Sequence, residues 1–135
     1  VSAISHIGNS FSQNPRDLPS WEIALDAGRL PVFRGMRMDA DDDIRADLIQ
    51  SLMCQGELRV HAFEERHGID FADYFAEDLQ RLWPLADDGL VELGPEEIRA
   101  TPRGRLLLRN IAMCFDRYLD QKSIIDARPR FSRAI

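Results

Sequence analysis

Two cysteines and three histidines are the most reactive side chains of this 135-residue chain, and their spacing limits what they can do. Cys54 and Cys114 are too few for a four-ligand structural zinc site. His6, His61 and His67 form no HExxH pair, which argues against a metal centre. A Cys–His nucleophilic pair stays open, yet each cysteine falls on the apolar face of a predicted helix, the setting of a buried structural thiol. Reduced thiols rather than a disulfide are expected. Asp39, Asp41 and Asp43 have the spacing of the first three ligands of an EF-hand loop. The sixth place, however, holds Ile44 rather than Gly, and the twelfth Gln50 rather than Glu, so the cluster reads as negative charge at a helix N-terminus. Gly8-Asn9-Ser10-Phe11-Ser12 lacks the closing Gly of a nucleophile elbow, and no Gly-rich phosphate loop occurs. Taken alone, the chain holds no recognisable catalytic machinery. One binding feature remains. Arg128, Arg130 and Arg133, interleaved with Pro129 and Phe131, could grip carboxylates through planar bidentate contacts; the alternative is a solvated terminal charge run.

The elements that must position these residues come from an ordinary globular composition. At 15.5 kDa, with 44% apolar and 30% charged residues, the chain has material for one core. No apolar run reaches the roughly 20 residues that span a bilayer, and the first residues do not resemble a signal peptide. The first residue is Val1 rather than Met, which leads us to expect an excised or processed piece. A soluble cytoplasmic protein is the expectation. The net charge of −6 conceals a segregation. Residues 1–38 carry four Arg against three acids, net +1; residues 39–104 carry six Arg against seventeen acids, net −11; residues 105–135 carry seven basic residues against three acids, net +4. The acidic middle repels phosphate, so nucleic acid is not expected as a partner.

Residues 1–16 lack helical periodicity and read as loop or extended chain. Asp17 is a predicted cap for a helix over about 18–27 that ends at Gly28 and buries Trp21, Ala24 and Leu25. Residues 30–38 read as an extended connector. Asp39 caps a helix over 40–54 with Ile44, Leu48 and Leu52 on one face, and Gly56 stops it. A short strand at 58–60 and a brief helix at 61–67 follow. Asp70 caps a third helix carrying Phe71, Phe75, Leu79 and Leu82, which Trp83-Pro84 ends or kinks. Residues 90–100 read as a hairpin turned at Gly94-Pro95, and Thr101-Pro102 open a long final helix with Leu107, Ile111, Phe115 and Leu119 in repeat. The predicted class is mainly α with a small antiparallel β-hairpin, in the order of a winged helix-turn-helix. The helix that would enter a DNA groove carries Asp73, Glu77 and Asp78 against Arg81, so the fold is expected to serve packing rather than DNA.

Four stretches resemble one family. They are Ser2-Ala3-Ile4-Ser5 with Ile7-Gly8, then Phe71-Ala72-Asp73-Tyr74-Phe75-Ala76-Glu77-Asp78-Leu79, then Arg103-Gly104-Arg105-Leu106-Leu107, and Met113-Cys114-Phe115-Asp116. With the closing Phe131-Ser132-Arg133 and Ile135, they are similar to the C-terminal region of oxygen-independent coproporphyrinogen III oxidase, a radical S-adenosylmethionine enzyme of haem biosynthesis. The likeness runs along essentially the whole chain; Ala112, where relatives often have a second Cys, departs from it. The resemblance implies a missing N-terminal barrel whose CxxxCxC motif holds a [4Fe–4S] cluster and S-adenosylmethionine, and which converts two propionates of coproporphyrinogen III to vinyls. Residues 1–38 would join that barrel, and residues 39–135 would form the winged-helix-like C-terminal domain with its basic tail. The isolated piece would be inactive. Ile4 matches a position that contacts a second S-adenosylmethionine. A four-propionate substrate would give Arg128, Arg130 and Arg133 carboxylates to meet. A free-standing acidic winged-helix module that binds a basic protein partner is the alternative.

Overall fold

A computed structural model describes residues 3–119, which form two compact units divided after Asp43. The first unit holds a three-stranded antiparallel sheet in the order β1 (Ile4–Ile7), β2 (Ser10–Gln13), β3 (Arg34–Arg37). A two-residue turn joins β1 to β2, with Gly8 at φ 58, a sign that costs nothing only without a Cβ. The stretch expected to be loop or extended is therefore a hairpin. Helix α1 (Leu18–Asp26) lies between β2 and β3 in sequence. Its start follows the capping rule, because the Asp17 carboxylate accepts from the Ser20 amide at 2.9 Å. The expected burial of Trp21, Ala24 and Leu25 is corrected. Trp21 and Leu25 are exposed, Ala24 is half-buried, and α1 buries no residue. The reason is local: among the described residues of this unit only Met38 and Asp42 are buried, so α1 has no core to face.

Helix α2 (Ala40–Gln55) opens with reciprocal caps. The Asp42 amide donates to Asp39 Oδ1 at 2.9 Å and the Asp39 amide donates to Asp42 Oδ2 at 3.0 Å. An Asp stands where a capping box usually has Glu or Gln, so these acids serve the helix start. In the second unit, α2 presents Leu48 and Leu52, both fully buried, to a core shared with β4 (Glu57–Arg59), α3 (Val60–His67), α4 (Phe71–Tyr74) and α5 (Ala76–Asp87). The hairpin β5 (Val91–Leu93) and β6 (Glu97–Ala100) pairs with β4, giving a sheet in the order β4-β6-β5. The class expected from sequence, mainly helical with a small antiparallel hairpin, is observed. Each unit adds strands to it.

The aromatic centre is a chain of rings. Phe71 and Phe75 lie 4.9 Å apart, and Phe75 meets Phe115 edge-on at 5.6 Å. Phe75 takes φ −104, ψ 23 and divides the single expected helix into α4 and α5, although the Phe75 amide still reaches the Phe71 carbonyl at 3.0 Å. Pro84 does not end α5, which continues to Asp87. Trp83 and Pro84 face solvent, while Leu85 and Ala86 beyond them pack on the core and hold the last turn. The long final helix is also corrected. A 3₁₀ turn over Gly104–Leu107 precedes a short α6 (Leu108–Met113), and the chain leaves helical geometry before Phe115.

Candidate functional site

Ile4 lies on β1 and is 68% exposed. Strand alternation and the observed register put Ile4, Gln13 and Arg34 in one row across the sheet, and His6, Phe11 and Met36 in the next row on the same face. His6 stacks on Phe11 at 4.2 Å with the rings 14° from parallel. At the end of the face beside Ile4, Arg34 Nε donates to Gln13 Oε1 at 2.6 Å. The opposite face carries Ser5, Ser12 and Gly35, where a Cβ on Gly35 would come within 3.2 Å of the Phe11 carbonyl oxygen. The side bearing Ile4 thus presents Ile4, Phe11 and Met36 for van der Waals contact with a ligand, and its one imidazole, His6, is stacked on Phe11.

A cavity of about 560 Å³ opens in the same unit between the end of β2, α1 and the approach to β3. Arg16, Arg29 and Arg34 line it together with Asp17, and Pro31, Val32 and Phe33 give it an apolar wall. The Phe33 amide donates to the Gln13 carbonyl at 2.8 Å, which ties that wall to the sheet. The net charge of +1 over residues 1–38 hides this grouping. The detectable signal was the four Arg among so few acids, and only the fold shows that three of them share one cavity.

The second unit holds its own polar groups for support. Asp78, 5% exposed in its side chain, sits between Arg45 Nη1 at 3.0 Å and Arg81 Nη1 at 3.2 Å. Arg45 also donates to the Phe115 carbonyl at 2.9 Å and lies over the Phe75 ring at 5.3 Å. This network stitches α2 and α5 to the segment after α6. Asp78 therefore belongs to the packing of the helix that carries Asp73 and Glu77. Arg105 donates to the Gln55 carbonyl at 3.2 Å, a cation at the C-terminal end of α2, where the helix dipole favours it. Between α2 and α3, Asp47 binds both His67 Nε2 and Arg66 Nη1 at 2.7 Å. Partial burial works against its charge, but the hydrogen bonds from His67 and Arg66 prevail and hold the Asp47 carboxyl below its usual range.

The two thiols differ. Cys114 is half-buried, its sulfur 3.7 Å from the Arg81 carbonyl and 3.6 Å from that of Asn110, and burial pushes its pKa up. It is the inert thiol expected. Cys54 is exposed, which corrects the expectation of a buried one: it sits on the solvent side of α2, away from Leu48 and Leu52. Two thiols fall short of the four cysteine ligands that commonly hold an iron–sulfur cluster, and no group of metal-ligating side chains occurs among the described residues. No helix among them is long and apolar enough to cross a membrane. Arg128, Arg130 and Arg133 lie outside the described residues.

Residues 38–107 match the HemN C-terminal domain family. The chain is 47% identical, over all 135 residues, to the oxygen-independent coproporphyrinogen III oxidase of Salmonella typhimurium and 46% identical to that of Escherichia coli strain K12. The Pseudomonas aeruginosa enzyme of the same name is 45% identical over 139 aligned positions. The chain spans only 28–29% of the length of these relatives. A solved structure of coproporphyrinogen III oxidase (HemN) from Escherichia coli, described as a radical SAM enzyme, superposes with a TM-score of 0.83 at 47% identity, covering 88% of this chain and 27% of that one. With more than half of its residues inside the matched segment, and a fold shared with a solved relative, the chain belongs to the HemN C-terminal domain family.

Proposed function

We propose that this chain is the C-terminal accessory part of a cytoplasmic oxygen-independent coproporphyrinogen III oxidase. The enzyme would oxidatively decarboxylate two propionates of coproporphyrinogen III and release protoporphyrinogen IX. The cluster ligands would come from an N-terminal barrel of the same polypeptide, because this chain has only Cys54 and Cys114. S-adenosylmethionine, when bound with that cluster, supplies the radical that abstracts hydrogen. The chain's own residues would bind and cover. Residues 1–38 would join the barrel, and residues 39–135 would form the winged-helix-like domain behind them.

The observation that carries the reading is the first unit's sheet, whose apolar face is open: Ile4, Phe11 and Met36 are 68%, 36% and 39% exposed. Such a face is normally covered by a partner or a ligand. Ile4 would give S-adenosylmethionine an apolar contact. Arg128, Arg130 and Arg133 would meet substrate carboxylates. In the full polypeptide, Ile4→Asp is expected to weaken S-adenosylmethionine binding at least about tenfold in equilibrium dialysis, the scale of losing one buried aliphatic contact, while iron content stays unchanged. Unaltered S-adenosylmethionine affinity would remove Ile4 from the site.

A further inference from the structure

We infer that the cavity lined by Arg16, Arg29 and Arg34 binds a carboxylate borne on an apolar ring; resting on the function proposed above, that ligand is a propionate of the porphyrinogen substrate. Three exposed arginines line one cavity of about 560 Å³, a size that takes a substantial part of a small ligand. Among the described residues none of the three has a carboxylate within ion-pair distance, whereas Arg45, Arg66, Arg81 and Arg99 of the second unit are each paired with Asp or Glu. Like charges gathered without counter-charge repel one another, and an anion relieves that repulsion.

The acid on the rim does not neutralise them. Asp17 is committed to α1, its carboxyl held below the usual range by hydrogen bonding from Ser20, so the cavity keeps two positive charges in excess. Arg34 is oriented by the bond from its Nε to Gln13, which leaves its terminal nitrogens for a forked contact with a carboxylate. Pro31, Val32 and Phe33 supply the apolar wall that a bare inorganic anion would not use. The chemistry recognised is therefore amphiphilic, a carboxylate at the Arg end with hydrocarbon beside it.

The test uses the full polypeptide, titrated by fluorescence with coproporphyrin III, the air-stable oxidised form, and with its tetramethyl ester in the same detergent buffer. Arg16→Gln and Arg29→Gln are each expected to weaken binding of the free acid about tenfold or more and to leave the ester within twofold, with S-adenosylmethionine binding unchanged. Should either fail to fold, Arg29→Lys carries the same test, since it keeps the charge and loses the fork. Free-acid affinity unchanged in the variants would overturn the pocket and leave the proposed enzyme standing. Equal losses for acid and ester would overturn the carboxylate role. A wild-type polypeptide that binds no coproporphyrin would overturn both.

Discussion

Gly104→Ala is expected to destabilise the second unit by about 3 kcal/mol or more, read as a lower midpoint of urea unfolding followed by circular dichroism. A Cβ at this buried position would overlap the carbonyl oxygen of Leu90, with the carbonyl carbon at 2.8 Å. That carbonyl cannot turn aside, because it already accepts the Thr101 amide at 3.0 Å and the Thr101 hydroxyl at 3.3 Å. The same Thr101 hydroxyl accepts the Gly104 amide at 3.1 Å, so the end of α5, the hairpin and the 3₁₀ turn are tied at one point. The glycine of Arg103-Gly104-Arg105 is thus fixed by backbone approach, and Arg105 beside it caps α2. A Gly104→Ala variant that loses less than about 1 kcal/mol would contradict this packing.

Asp78→Ala should cost a similar amount, about 3–5 kcal/mol, since it removes the carboxylate paired with the Arg45 guanidinium, which is only 15% exposed. Arg45 should also loosen its hold on the Phe115 carbonyl, so amides after α6 should exchange faster with solvent. The double variant Arg45→Met/Asp78→Leu separates pairing from packing. If the pair acts as a unit, it should be more stable than Asp78→Ala, since the buried Arg45 charge leaves together with Asp78 and only the more exposed Arg81 loses a contact. Losses of Asp78→Ala and Arg45→Met that simply add would contradict the coupling.

Much of the fold was legible because its signals are local. Asp17, Asp39 and Asp70 each cap the helix they precede, and Gly28, Gly56 and Gly68 each follow a helix with positive φ. The first sheet was not legible, because its strands are exposed or half-buried and show no alternation of core and surface residues. The final helix was overextended because Leu107, Ile111 and Phe115 keep a four-residue repeat that ignores the constraint at Gly104, a contact made across the fold. Apolar spacing predicted a core for Trp21 and Leu25 that the described residues do not contain. The same limit applies to the site. Ile4 came from resemblance alone, and the Arg cavity required chain reversal through α1 to bring position 16 near positions 29 and 34.

The chain is proposed to work as the C-terminal part of a larger iron–sulfur enzyme. An antibody raised against the chain, applied to extracts of the source cell and used for anaerobic purification, tests it most directly. Since the chain's 15.5 kDa corresponds to 29% of the length of its relatives, the expected native band is about 50 kDa, and its purified form should carry iron and show cluster absorbance. A native band at 15.5 kDa, or a longer polypeptide that purifies anaerobically without iron, would contradict it and favour a free-standing acidic module.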